Sequence, residues 1–174
     1  MEKGETPESK QSMVEEVGRR AFEYESTHHG CSQCTMKALQ EVLGLEDEWV
    51  FKAASCISGM FPVEGRTCGA LTAGAMVMGV KYGRERLDEG IVGTARGMTQ
   101  TLALVNRFKQ EFGSTFCAEV SGGQTAGIVD EKAIEYMSTH PVEFEEMSRE
   151  VIKTCAVVVK RTAEMVVEII SESG

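Results

Sequence analysis

The stretch Gly69 to Val80 constrains the fold more than any other. Within the frame Cys68 to Tyr82 it is apolar on every face and rich in Gly and Ala. A helix with no polar face has to be surrounded by protein, and small residues let its neighbours approach closely. A dozen residues cannot cross a bilayer, which takes about 20. The expectation is an all-α, single-domain bundle of about five main helices with this Gly/Ala-rich helix buried at its centre. Thr67 is placed to cap it and Gly83 to close it.

Helical spacing recurs along the rest of the chain. Pro7-Glu8 leads into Met13, Val14, Val17, Ala21 and Tyr24, a three-and-four pattern that predicts a first helix ending near Ser26. His28-His29-Gly30 reads as a break, and Cys31, Cys34, Ala38, Leu39 and Val42 predict a second helix stopped by Gly44. A short third helix is expected from Asp47 to about Ile57, followed by a loop to Gly65. From Asp88 to Phe112, the positions Ile91, Ala95, Met98, Leu102, Val105 and Phe112 mark one face. A last long helix, Val142 to Ser171, carries Val151, Cys155, Val158, Thr162, Met165 and Ile169 on its inner stripe. Val120 to His140 is less regular, with a short helix over Asp130 to Met137. Residues 1–174 read as one domain behind a flexible tail of about nine residues, and no strand is predicted.

With 174 residues the chain can bury a core without disulfide or metal staples. A net charge of −9 argues against nucleic-acid binding, which needs clustered Lys and Arg. The polar, acidic start lacks the basic and apolar run of a secretory signal, and no membrane span is present, so the expected location is the cytoplasm. In that setting six cysteines point to metal or redox chemistry rather than to structural disulfides.

Cys31 and Cys68 begin predicted helices, where N–H groups and the dipole favour a thiolate, and Cys68 is therefore expected to ionise near neutral pH. Cys117 follows the Gly113 break, and Cys155 lies in the last core stripe. Buried cysteine is otherwise a common apolar filler, but six together count against that for all of them. Cys31-x-x-Cys34 has the spacing of a redox dithiol or half a metal site. With no second such pair a zinc ribbon lacks support, and Thr35 in place of His removes a haem-attachment motif. His28 and His29 could be ligands, though loop histidines usually face solvent. Met76, Met78, Met98 and Met165 fall at core spacing and read as gap fillers. Ser121 to Gly127 lacks the strand and the Lys of a phosphate loop.

Gly65-Arg66-Thr67-Cys68-Gly69-Ala70-Leu71-Thr72, continuing to Gly79-Val80-Lys81-Tyr82-Gly83, closely resembles the redox-active family named for its C_GCAxxG_C_C cysteine pattern. Gly30-Cys31-Ser32-Gln33 resembles its first cysteine motif, Phe112-Gly113 with Cys117 its third, and Cys155 the cysteine of its last helix. The likeness covers roughly residues 18 to 170. It implies a cytoplasmic helical protein of anaerobes whose four motif cysteines form a redox or iron–sulfur site. A similar cysteine domain occurs in split-Soret cytochromes, whose haem part has no counterpart here. Two features depart from the pattern: Ala73 stands where Gly is frequent, and Cys34 and Cys56 are additional thiols.

The first reading is electron transfer through an iron–sulfur cluster held by Cys31, Cys68, Cys117 and Cys155, four thiolates being the usual complement. The second is a metal-free thiol redox protein in which Cys31 or Cys68 attacks and a neighbour resolves. The third is a zinc-binding structural bundle without turnover. The expected partner is another redox protein, and a homodimer is compatible with the sequence.

Overall fold

In the computed structural model, residues 6–57, 67–122 and 131–173 are described. They form eight α-helices: α1 (Pro7–His28), α2 (Cys31–Leu43), α3 (Glu48–Ala53), α4 (Gly69–Tyr82), α5 (Ala95–Phe112), α6 (Cys117–Val120), α7 (Glu131–Thr139) and α8 (Pro141–Glu172). Among the described residues there is no strand, only an isolated antiparallel bridge between Thr67 and Phe116. The all-α class is as expected, and the five longest helices, α1, α2, α4, α5 and α8, are the main ones predicted. Residues 1–5, part of the expected tail, residues 58–66, where a loop is expected, and residues 123–130 lie outside the described residues. The helix begins at Pro7, inside the stretch read as tail.

The ends follow local chemistry. Thr6 caps α1 by accepting from the Ser9 amide at 3.2 Å, with Pro7 as the first helical residue. Asp47 caps α3 through the amides of Trp49 and Val50 at 2.8 and 2.9 Å. Gly113, at φ 76°, takes the left-handed conformation that closes α5. Gly90, at φ 62°, interrupts the helix predicted from Asp88. Two short 3₁₀ turns, Leu87–Glu89 and Ile91–Thr94, precede α5 instead.

The most extensive packing pairs the first helix with the last, α1 on α8, and α4 lies against α2, α5 and α8. One apolar core runs through all five long helices. In α4, Gly69, Ala70, Leu71, Ala73, Gly74, Val77 and Met78 are buried, as expected of a central helix. Its last turn, Gly79 to Lys81, emerges to solvent. On α8, Val158, Thr162, Met165 and Ile169 face the core as predicted.

Two packing expectations are corrected. The buried stripe of α5 is Gly97, Leu104 and Phe108, whereas Ile91, Met98 and Leu102 are 73%, 60% and 59% exposed. This stretch carries apolar residues on two faces, and the bundle covers the other one. Met98 therefore fills no core gap, unlike Met78 and Met165, which are buried.

Candidate functional site: a buried thiol cavity

Four chain segments deliver sulfur to one place. Cys31 is the first residue of α2 and Cys68 the N-cap of α4. Cys117 opens the single turn α6, and Cys155 lies midway along α8. The start of α4 is held against the start of α6 by the Thr67–Phe116 bridge, with the Cys68 amide donating to the Thr115 carbonyl at 2.8 Å. Thr67 thus makes a backbone bridge, and Cys68 takes the cap position predicted for it. Cys31, Cys68, Cys117 and Cys155 together line one cavity, completed by Val120, Ser121, Val158 and Val159. Its volume is about 10 Å³, enough for about one water.

All six cysteines are thiols. Cys31, Cys34, Cys68 and Cys117 are buried, Cys155 is half-buried and Cys56 is exposed, away from the cavity lining. Burial pushes the Cys68 thiol up from 9.0 to about 12, and the backbone amides of Leu71 and Ala70 at the helix start offset only part of that. The expected neutral-pH thiolate at Cys68 is therefore corrected: loss of solvation outweighs the helix N-terminus. Burial likewise raises Cys155, helped by the negative charges of Cys31, Glu25 and Cys117 when ionised. Cys34 is raised by burial and then by Glu25, whose carboxyl it hydrogen-bonds. Cys34, Cys68 and Cys155 therefore keep their protons at neutral pH.

Glu25 was not a sequence candidate. It is 3% exposed, on α1, and its Oε2 has no hydrogen-bond partner among the described residues. Desolvation raises its carboxyl, opposed by the Cys34 thiol and then by His29. The sequence did carry a signal: Val17, Ala21 and Glu25 are spaced four apart, so the acid continues a buried stripe. His28 faces solvent. His29 sits at the edge of the site and, among the described residues, is the one non-glycine with positive φ, 59°, a conformation that costs on the order of 1–3 kcal/mol. Its carbonyl accepts from Cys34 Sγ at 3.5 Å, its Nδ1 lies 2.9 Å from the Glu25 carbonyl, and its Nε2 lies 3.7 Å from Glu145 Oε1.

Among the described residues, no group of three or more His, Cys, Asp or Glu side chains is disposed to hold a metal ion. The cavity has room for one small atom and none for a multi-iron cluster, so the donors as they stand do not fit one.

The family model described as "Putative redox-active protein (C_GCAxxG_C_C)" matches residues 29–169. The chain belongs to this family. All four cavity cysteines, and Cys34 with them, fall inside the matched stretch, whereas Glu25 lies four residues before its start. No curated protein and no solved structure matches significantly. Among the described residues, no helix is long and apolar enough to cross a membrane.

Proposed function

We propose that the chain is a two-electron thiol redox protein whose working group is the set Cys31, Cys68, Cys117 and Cys155, with Cys31 reacting first. The observation that carries this reading is the convergence of four thiols, spread over 124 positions (155 − 31), on one cavity. A cavity of one-water size leaves the sulfurs to react with one another or with a sulfur that approaches Cys31 from outside. Cys31 stands at the start of a thirteen-residue helix, whose dipole favours negative charge on the attacking sulfur. Membership of a family described as redox-active points the same way.

An iron–sulfur or zinc centre on these cysteines is the second reading, favoured by the same convergence. Four thiolates would supply reversible one-electron chemistry through iron, or a purely structural clamp through zinc. It requires the donors to regroup from where they stand. The test is thiol, iron, zinc and sulfide analysis of anaerobically purified protein, before and after oxidation by glutathione disulfide. Six thiols that fall in number on oxidation and return with dithiothreitol, without metal, support the thiol reading. Stoichiometric iron and sulfide, or stoichiometric zinc, would replace it by the second. Cys68→Ser should lower the number of thiols lost on oxidation, or the rate of their loss, while leaving the circular dichroism intact; the same number lost at the same rate in both proteins would make Cys68 a packing residue.

A further inference from the structure

Behind the cavity, one helical turn further along α2, lies a second arrangement that the family's cysteine pattern does not include. Cys34 follows Cys31 at the i,i+3 spacing in the first turn of α2, where Cβ atoms lie about 5–6 Å apart, so closing a disulfide draws them in to about 3.5–4.5 Å by adjusting that end turn. The buried Glu25 carboxyl of α1 interacts with the Cys34 thiol, whose sulfur also donates to the His29 carbonyl at 3.5 Å. One oxygen of that carboxyl, Oε2, is buried with no hydrogen-bond partner among the described residues. A carboxyl so placed is costly to the fold unless it has something to accept. We propose that Glu25 is the proton acceptor for Cys34, which resolves a mixed disulfide on Cys31 by closing a Cys31–Cys34 disulfide. This inference rests on the thiol-redox reading above.

A thiol attacks only as the thiolate. Cys34 is buried among groups that hold its proton on, so ionisation to water is strongly disfavoured at neutral pH. Transfer to the Glu25 carboxylate moves one negative charge from oxygen to sulfur and adds none to the buried site. That avoids the desolvation cost of a second charge. The titratable groups facing Glu25 are Cys34 from α2, with Cys31 beyond Cys34, Cys155 from α8, and His29 just beyond its own helix, with Glu145 of α8 behind His29.

The step balances with a disulfide, R–S–S–R′, as oxidant. Cys31 Sγ attacks it, forming Cys31–S–S–R; R′S⁻ leaves and takes up the Cys31 proton. Cys34 then passes its proton to Glu25 and attacks Cys31 Sγ. The Cys31–Cys34 bond forms, the bond to R breaks, and RS⁻ leaves with the proton returned by Glu25. The cysteine pair loses two electrons and two protons, and R–S–S–R′ gains them as two thiols.

The experiment mixes the reduced chain with glutathione disulfide, quenches with acid and maps the cysteine peptides by mass spectrometry, for wild type, Glu25→Gln and Glu25→Asp. Glu25→Gln should accumulate glutathione on Cys31 and resolve it slower by on the order of a hundredfold at pH 7. The deficit should shrink as pH rises, and Glu25→Asp should recover part of the rate. Equal resolution rates and pH profiles in wild type and Glu25→Gln would overturn the role of Glu25, as would pairing of Cys31 with any cysteine but Cys34; both leave thiol redox chemistry standing. No disulfide in wild type would overturn both. Should Glu25→Gln fail to fold, Glu25→Asp in the same assay decides. Slower resolution than wild type at pH 7, with a deficit that shrinks as pH rises, supports proton transfer at Glu25, and a rate and pH profile equal to wild type remove it.

Discussion

The two ends of α4 are made of the same residue types and have opposite fates. At the Cys68 end, Gly69, Ala70 and Leu71 are sealed beneath α2, α8 and the start of α6, and the thiol is desolvated. At the Tyr82 end, Gly79 and Gly83 open onto a groove of about 460 Å³ shared with Met98, Leu102 and Val105 of α5. Hydrophobicity is thus a poor guide to which end is covered. What distinguishes them is the third partner: α8 crosses the first end, and among the described residues no element crosses the second.

The sharpest way to break this contrast is to enlarge one glycine from each end. A Cβ at Gly74 would lie 2.8 Å from Leu104 Cδ2 and 3.0 Å from Val166 Cγ2. Gly74→Leu should therefore cost on the order of 3 kcal/mol or more by overpacking, read as a lower denaturant midpoint. An unchanged midpoint would mean that α4 is not enclosed there.

Alkaline titration tests the sealed end next. Cys68 keeps its proton to about 12 in the fold, against 9.0 ordinarily. The unfolded chain therefore releases that proton first, so the contribution is intact below pH 9 and is lost between 9 and 12. Stability should fall there by up to about 1.4 kcal/mol per pH unit for each such thiol, with Cys34 and Cys155 adding in the same direction. Thermal melts of wild type and Cys68→Ala between pH 8 and 11 would show it as a shallower decline in the variant. Parallel curves would contradict the burial.

Smaller effects belong to the open end. Nothing lies within 4 Å of a Cβ built on Gly79, so Gly79→Ala should stabilise by about 0.5–1 kcal/mol through helix propensity alone. A loss of stability would reveal a neighbour pressed against that turn. Smallest of all, Leu102→Gln should change stability by less than about 0.5 kcal/mol, as seen in a thermal melt, because the side chain is 59% exposed. A large loss would mean that the groove is filled in solution.

The same contrast explains what could be read from the sequence. The helices α1, α2 and α8 were legible from their three-and-four apolar spacing, and α4 from a run that is apolar on every face and closed by Gly83. The four sulfurs were legible as a set because each marks a helix start or a core stripe, although their meeting at one cavity depends on tertiary packing that local patterns do not encode. The facing of α5 was not legible. Ile91, Met98 and Leu102 spell an amphipathic stripe as well as Gly97, Leu104 and Phe108 do, and the choice is made by where α4 and α8 already stand. Glu25 escaped because a carboxylate in a charged helix reads as surface, and only its register with Val17 and Ala21 betrays it. The low thiolate character of Cys68 escaped for a related reason: the helix start is visible in sequence, but the depth that opposes it is not.

The pairing of α1 with α8 also sets an order of events. The first helix made has as its main partner the last, so the wall behind Glu25 and Cys34 is complete only once a contact of very long sequence separation has closed, a slow class of step in folding. Until then the cysteines are spread along a chain whose thiols have their ordinary acidity and open access to oxidants. The protection that burial gives them is a property of the finished bundle, and the interval between synthesis of Cys31 and docking of α8 is when mispaired disulfides can form.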